Sequence, residues 1–431
     1  MAINVRTDYD YWDPKRKGFV TNYPNFQHWR PMEPDALENS EPLNVYLHSP
    51  FCIQRCAYCY YKTVNLRGKG KRERMQDYVD VLCKEIKLAS ERYGLRNRPI
   101  KSIYFGGGTP SLLYVDQLEQ IVSTLHDHLD ISSFNPPEFT LEAEPVTMTQ
   151  EKADAFERFG VTRCSMGVQS FDDEIIKASN RLDSEKSAIK AIKLAMTTGA
   201  TINIDLMSGL ADETPEKWAH SVNTAIATGI QSITVYKTEL YINTPYYRDL
   251  RKQRLSLPND DQELELMQYA IDQLESAGYV ARSFTTWTLP DTPDHVHAPS
   301  VFRGDDNYAF GVSAFGKLGD TLFQNSNSEE RYTALINAGQ LPIQRGHKLT
   351  CLDSMVRDVV LGMKLISFDL RAFQEKYGFK LENMIEGTLD ELATDGFVTV
   401  DDDEIKLTAK GILHGDYSGK SMVKSLRDTF S

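Results

Sequence analysis

His48-Ser-Pro-Phe-Cys52-Ile-Gln-Arg-Cys56-Ala-Tyr-Cys59 places three cysteines within eight residues, directly after the β-rich run Val45–His48. Thiolates bind soft metals, and three on one short loop can face a single centre. A structural zinc takes four protein ligands, and no fourth Cys or His follows at finger spacing. Three thiolates suit a [4Fe–4S] cluster, which Cys residues usually hold, with one iron left open for a small molecule. Packing cysteines and an incomplete zinc knuckle are the competing readings. Cys83, Cys164 and Cys351 stand alone in apolar helix or strand contexts and read as core residues. Six cysteines in 431 residues do not make a secreted disulfide scaffold. Cytoplasmic residence without disulfides is the expectation.

From about residue 43 to 285, β-rich runs alternate with helical stretches. The predicted strands are Val45–His48, Ser102–Phe105, Phe139–Glu142, Arg163–Val168, Thr201–Met207 and Ser232–Lys237. Helices are predicted over 73–92, 115–129, 149–159, 184–198 and 215–228. The last shows its signals plainly. Thr214 caps it, Pro215 fits the first position and Glu216 complements the dipole. Trp218, Val222 and Ile226 share a face, and Gly229 ends it. Strand followed by helix, repeated, means parallel strands with crossover helices. Six units point to a partial barrel, (β/α)6 and TIM-like, rather than a flat nucleotide-binding sheet; periodicity alone leaves both open.

The barrel is assigned to residues 41–345. Residues 1–40, with Trp12, Tyr23, Pro24, Trp29, Pro31 and Pro34, read as an irregular arm across it. Residues 346–431 change character. Met355–Leu365, Asp369–Tyr377 and Leu381–Ala393 read as helices, and Phe397–Val400 and Ile405–Thr408 as a hairpin. That pattern resembles a winged-helix unit used for packing or interaction. Asp401-Asp-Asp reads as the hairpin turn rather than a calcium site. The net charge of −13, from 48 basic and 61 acidic residues, repels phosphate backbones and excludes a nucleic-acid partner. No run of about 18 apolar residues offers a membrane span, and the polar N-terminus lacks the apolar core of a secretory signal. The basic run Arg67–Arg74 is an exception to the acidity. It is a solvated loop or a steering patch for an acidic electron donor.

The spacing of Cys52, Cys56 and Cys59, with Tyr58 before the last, resembles the radical SAM superfamily. The likeness continues in order along the chain. It includes Phe105-Gly-Gly-Gly-Thr-Pro110, Leu141-Glu-Ala-Glu-Pro145, Ser165-Met-Gly-Val-Gln-Ser-Phe171, Asn180-Arg181 and Asn203-Ile-Asp-Leu-Met-Ser-Gly-Leu210. Together these resemble the oxygen-independent coproporphyrinogen III dehydrogenase family, with its heme-chaperone and methyltransferase relatives, from about Tyr46 to Gly316. The tail Leu407-Thr-Ala-Lys-Gly411 continues it. The resemblance implies a radical SAM barrel whose Cys52, Cys56 and Cys59 hold the cluster. It implies that Tyr46, Tyr58, Gly107, Gly108, Thr109, Glu142, Gln169, Arg181 and Asp205 form the S-adenosylmethionine (SAM) site. Glu142 and Asp205 would accept from ribose hydroxyls or an ammonium, Arg181 would meet a carboxylate, and the glycines would let backbone approach a ligand. All lie at or after strand ends, where barrel active sites sit.

Two departures bear on activity. Tyr60-Tyr61 stands where the family's porphyrinogen decarboxylases carry a glycine-cysteine pair, which points away from coproporphyrinogen decarboxylation. His297-Ala-Pro-Ser-Val-Phe302 keeps only the histidine of the heme-chaperone motif. His297, with His295 nearby, is a proton donor, a heme ligand or a loop histidine. The implied functions are hydrogen abstraction from a small or tetrapyrrole-like substrate, radical C-methylation with two SAM molecules, or heme carriage without committed chemistry. A reduced flavodoxin- or ferredoxin-like donor is the implied partner.

Overall fold

Six strands carry apolar side chains on one face and polar ones on the other, and this parity organises the molecule. They are Leu43–Ser49 (β1), Ile100–Gly107 (β2), Glu138–Ala143 (β3), Arg163–Gln169 (β4), Thr201–Ser208 (β5) and Ser232–Lys237 (β6). Each pairs in parallel with the next, in chain order. The computed structural model describes residues 20, 22–35, 41–132 and 137–430. The fully buried Val45, Leu47, Ile103, Leu141, Met166, Ile204 and Val235 face the crossover helices. Those helices include Lys71–Tyr93 (α1), Val115–His128 (α2), Gln150–Arg158 (α3), Glu185–Ala195 (α4) and Pro215–Ala227 (α5). Thr214 caps α5 by accepting from the Lys217 amide, with Pro215 at its start.

The opposite parity is polar: Tyr46 and His48, Ser102 and Tyr104, Glu138 and Glu142, Arg163 and Ser165, Asn203 and Asp205, Thr234 and Tyr236. Tyr236 on β6 and Glu142 on β3 lie within electrostatic reach of each other although two strands intervene. The sheet must therefore curl around this polar face, as a partial barrel does. Its outermost strands, Ile343–Lys348 and Val280–Ala281, do not pair, so the barrel is open.

The sequence reading missed a second half of this sheet. Asn307–Phe310 joins β1 in parallel, and Phe315–Leu318, Thr321–Asn325 and Ile343–Lys348 continue antiparallel. In the arm, Phe26 stacks on Phe315, and Arg30 pairs with Gly346. Trp12 lies outside the described residues. After Ile343–Lys348 come the helices Cys351–Gly362, Leu370–Tyr377, Leu381–Met384, Glu386–Thr394 and Tyr417–Thr429 and a three-stranded sheet. The hairpin's third strand, Ser367–Asp369, and the final helix were not foreseen. Asp401 forms the hairpin turn, accepting from the amides of Asp403 and Glu404. Cys164 is buried as expected and Cys83, half-buried, packs against the core, but Cys351 is exposed at a helix start; all six cysteines are free.

One buried carboxylate ties the two halves of the sheet. Glu85 on α1 accepts from Tyr332 Oη at 2.5 Å, the Gly311 amide at 2.8 Å and Asn325 Nδ2 at 2.7 Å. Burial lifts it from 4.5 to about 7 against the pull of those donors. The protonated form therefore belongs to the folded state. Stability from this group is complete below pH 4.5 and is lost as pH rises towards about 7. Urea midpoints across that range are expected to fall with this slope, and Glu85→Gln, which cannot titrate, to flatten it.

Candidate functional site

The loop from Pro50 to Lys62 leaves β1 over the C-terminal mouth of the barrel. The strand Phe51–Cys52 pairs with Val64–Asn65, which turns the chain back and leaves Cys56 and Cys59 at the tip. The loop is stitched to the strand beside it. The Gly108 amide donates to the Ser49 carbonyl at 2.6 Å and the Thr109 amide to the Phe51 carbonyl at 2.7 Å. This seam explains the glycines differently from the sequence reading. A Cβ at Gly108 would lie 2.5 Å from the Phe51 carbonyl oxygen, and one at Gly107 would lie 2.6 Å from the His48 ring. Gly107 also has φ +110°, a region side chains rarely tolerate. The close approach they permit here is to the cysteine loop. Gly108→Ala is expected to cost about 1–3 kcal/mol, since the obstacle is backbone. A lower urea midpoint and reduced iron per chain after reconstitution would register it.

The three thiols lie within electrostatic reach of one another. Thr109 Oγ1 donates to Cys52 Sγ at 3.7 Å, and Arg181 Nη1 to Cys56 Sγ at 3.5 Å. Burial dominates their acidity, raising Cys52 to about 12 and Cys59 to about 11 and lifting Cys56 as well. Metal loading must therefore expel protons. Among the described residues, no three His, Cys, Asp or Glu side chains gather tightly enough for one ion. A [4Fe–4S] cluster makes a different demand, one thiolate on each of three irons, and this donor set fits it.

Behind the loop lies the polar chamber. Tyr61 and Tyr236 are 54% and 41% exposed, yet both phenols feel the Glu142 carboxylate. The surface they expose is thus the inner wall. Glu142 accepts from Tyr104 Oη at 2.6 Å and from the Gly107 amide at 3.0 Å. Burial raises it to about 7, with the Asp205 charge adding to the rise. Asp205 accepts from Asn203 Nδ2 at 2.9 Å and Ser165 Oγ at 3.4 Å, and burial lifts it to about 6. Tyr46 Oη is 3.0 Å from His48 Nδ1, and burial drives that imidazole down to about 4, so it is neutral at pH 7.

Gln169 sits at a bulge between β4 and β5 with φ +69°. Among the described residues its buried Oε1 has no partner, an acceptor that a ligand's hydroxyl or ammonium would satisfy. Tyr58 Oη accepts from Arg181 Nη1 at 3.3 Å. The carboxylate that Arg181 meets is the protein's own Asp183, at 2.6 and 2.9 Å. Its other donors reach the Gly167 carbonyl at 2.6 Å and, at 3.8 Å, Glu144. The structure thus brings Tyr46, Tyr58, Gly107, Gly108, Thr109, Glu142, Gln169, Arg181 and Asp205 to the chamber and its rim.

His48, Tyr104, Arg163 and Tyr236 also line it and were missed. Strand parity was the available signal: each stands two residues, or a multiple of two, from an inward residue on its strand. His297 lies at the floor, 2.8 Å from Ser102 Oγ and stacked on Tyr104 at 5.0 Å, beneath the carboxylate layer. The Tyr60-Tyr61 pair stacks at 4.3 Å, with Tyr60 on Tyr241 at 3.9 Å, walling the loop's return.

Comparison with known proteins agrees with this geometry. The Radical SAM superfamily model matches residues 46–225. An oxygen-independent coproporphyrinogen III oxidase of Pseudomonas aeruginosa is 30% identical over 401 residues, covering 88% of this chain and 85% of its own. The heme chaperone HemW of Bacillus subtilis is 28% identical over 375 residues, covering 86% and 97%. Among solved structures, the coproporphyrinogen III oxidase HemN of Escherichia coli superposes with a TM-score of 0.79 at 24% identity, covering 93% and 96%. At that identity the last likeness establishes the fold.

Proposed function

The chain belongs to the oxygen-independent coproporphyrinogen III oxidase-like family of the radical SAM superfamily, and from that premise we propose an enzyme that abstracts hydrogen from a small organic or tetrapyrrole-like molecule held in the barrel. The family's cofactors are a [4Fe–4S] cluster and SAM. Held by Cys52, Cys56 and Cys59, the cluster together with SAM would supply one-electron chemistry able to take a hydrogen atom from the bound molecule. The observation carrying this reading is the polar, open chamber directly beneath a loop of three free thiols.

In this reading Cys52, Cys56 and Cys59 hold three irons. Glu142, Asp205 and the orphaned Gln169 Oε1 receive the polar groups of SAM, with backbone from Gly107 to Thr109 and the rings of Tyr46 and Tyr58 around them. Arg181 sets the position of Cys56. The wall of Tyr60, Tyr61 and Tyr241 closes the loop side of the chamber and keeps water from the reacting atoms. His297, held at the floor by Ser102 and Tyr104, supports a role in chamber shape over one as a heme ligand.

The electron arrives from an acidic carrier protein. Arg67 donates to the Ile53 carbonyl, and Arg55 to the Cys59 and Asn243 carbonyls. An open groove of about 700 Å³ beside Arg55 adds Arg248, Arg251 and Lys252. Basic segments so flank the outer face of the cysteine loop. No helix among the described residues is long and apolar enough to cross a membrane.

The test is anaerobic reconstitution followed by incubation with SAM and dithionite. 5′-Deoxyadenosine is the expected product, with methylation scored by transfer of label from methyl-labelled SAM. Stoichiometric heme binding with no 5′-deoxyadenosine would replace this reading with a carrier.

A further inference from the structure

Four side chains form a continuous file from the chamber outward. Tyr61 is exposed to the chamber, within reach of the Glu142 carboxylate and of Tyr46. Its ring stacks on Tyr60 at 4.3 Å with 26° between the planes, and Tyr60 stacks on Tyr241 at 3.9 Å and 24°. The phenol oxygen of Tyr60 lies within reach of those of both neighbours. Tyr241 Oη donates to the Glu239 carboxylate. Ile242 and Asn243, next along the chain, line the basic groove beside Arg55. The file therefore runs from the chamber, past the return of the cysteine loop, to the face offered to the electron carrier.

Packing alone does not call for these hydroxyls, since phenylalanine rings would wall the loop equally well. Phenols add a chemistry that phenylalanine lacks. Their O–H bond is weaker than an aliphatic C–H bond, so hydrogen transfer from a phenol to a carbon radical runs downhill. Near-parallel rings in contact let an electron pass between them, and neighbouring oxygens let the proton follow. The file ends on a carboxylate within hydrogen-bond reach, placed to give and take a proton. Other phenols of the chamber lack this route. Among the described residues Tyr236 stacks on no ring. Tyr46 stacks on Tyr104 at 6.0 Å, but that pair leads down to the buried His297.

Taking a hydrogen atom from a bound molecule leaves a carbon radical that has to end in a stable bond. We propose that Tyr61 gives a hydrogen atom to a carbon radical in the chamber, and that Tyr60, Tyr241 and Glu239 relay the replacement from outside. The Tyr61 O–H bond breaks as a C–H bond forms, leaving a tyrosyl radical. A hydrogen atom then passes from Tyr60 to Tyr61, and another from Tyr241 to Tyr60, so the radical moves to Tyr241. There one electron from the acidic carrier and one proton delivered through Glu239 restore the phenol. The sum is one carbon radical, one electron and one proton giving one C–H bond. This rests on the proposed hydrogen abstraction, and it adds a second electron to each such turnover.

The relay is tested first without turnover. Cluster-loaded protein carrying ring-deuterated tyrosine, with no SAM, is photo-oxidised by a ruthenium tris-bipyridine complex and a cobalt(III) quencher, then frozen for electron paramagnetic resonance. Wild type is expected to hold a tyrosyl signal, narrowed by the label. Tyr60→Phe and Tyr241→Phe, which keep the rings, are each expected to lose most of it, and Tyr236→Phe to keep it. The donor is tested in heavy water with SAM, dithionite and no added substrate, where an exchangeable phenol hydrogen enters 5′-deoxyadenosine as deuterium. Tyr61→Phe is expected to lose most of the deuterium per molecule of 5′-deoxyadenosine formed, and Tyr236→Phe to keep it. A wild type without a tyrosyl signal, a signal indifferent to both stack variants, or undiminished deuterium in Tyr61→Phe would each overturn the proposal. Absence of 5′-deoxyadenosine from every protein would overturn the hydrogen-abstracting enzyme instead, and the photo-oxidation would still decide the relay.

Discussion

Replacing Cys52, Cys56 and Cys59 together with alanine is expected to yield a colourless, iron-free protein that forms no 5′-deoxyadenosine. Cluster iron is held by thiolate bonds, and no other soft donors stand in the loop to replace them. The barrel itself should survive. The seam that fixes the loop runs through backbone groups of Ser49, Phe51, Gly108 and Thr109, and alanine removes only sulfurs that burial already holds protonated. Far-ultraviolet circular dichroism is therefore expected to match wild type while iron per chain falls to background. A control triple, Cys83, Cys164 and Cys351 to Ala, is expected to keep its iron, since those thiols lie on separate elements. Full iron in the first triple would end the cluster assignment.

What the sequence disclosed and what it hid divides along one physical line. The six strands β1 to β6 were legible because each is a continuous β-rich run followed by a helix with its own caps, and all six lie within a few residues of their predicted bounds. Asn307–Phe310 was not. It has four residues between Gly304 and Gly311, and pairing with β1 and with Phe315–Leu318 makes it a strand. The next two strands, Phe315–Leu318 and Thr321–Asn325, have four and five residues, with Gly316 inside the first and Gly319 between them. Tyr417–Thr429 hid because Ser418, Gly419 and Lys420 dilute its apolar face, which its packing against Cys351–Gly362 supplies. The same line runs through the site. Residues in contiguous motifs, such as the cysteines and Gly107-Gly-Thr109, announce themselves. Tyr104 and Arg163 matter because of what faces them from other strands.

Arg181→Met is expected to destabilise the fold by about 3–5 kcal/mol, the usual consequence of removing one partner of a buried charge pair. The side chains of Arg181 and Asp183 are 4% and 3% exposed, and two guanidinium nitrogens close on one Asp183 oxygen. The same guanidinium holds the Gly167 carbonyl, Tyr58 Oη and Cys56 Sγ. It therefore clamps the end of β4 to the tip of the cysteine loop. Methionine fills the volume but leaves Asp183 charged in a dry site and frees Cys56 to move. Two measurements are needed, because a pure ligand contact and a clamp differ in what they disturb. As a clamp, Arg181→Met lowers the anaerobic urea midpoint and slows iron loading before SAM is added. Adding Asp183→Leu is then expected to recover much of the lost stability, since the stranded charge disappears with its partner. It should not recover iron loading, because Cys56 and Tyr58 remain ungripped. As a SAM contact alone, the single variant would unfold at the wild-type midpoint, load iron normally and bind SAM weakly. A wild-type midpoint in Arg181→Met would thus refute the clamp and return Arg181 to the ligand.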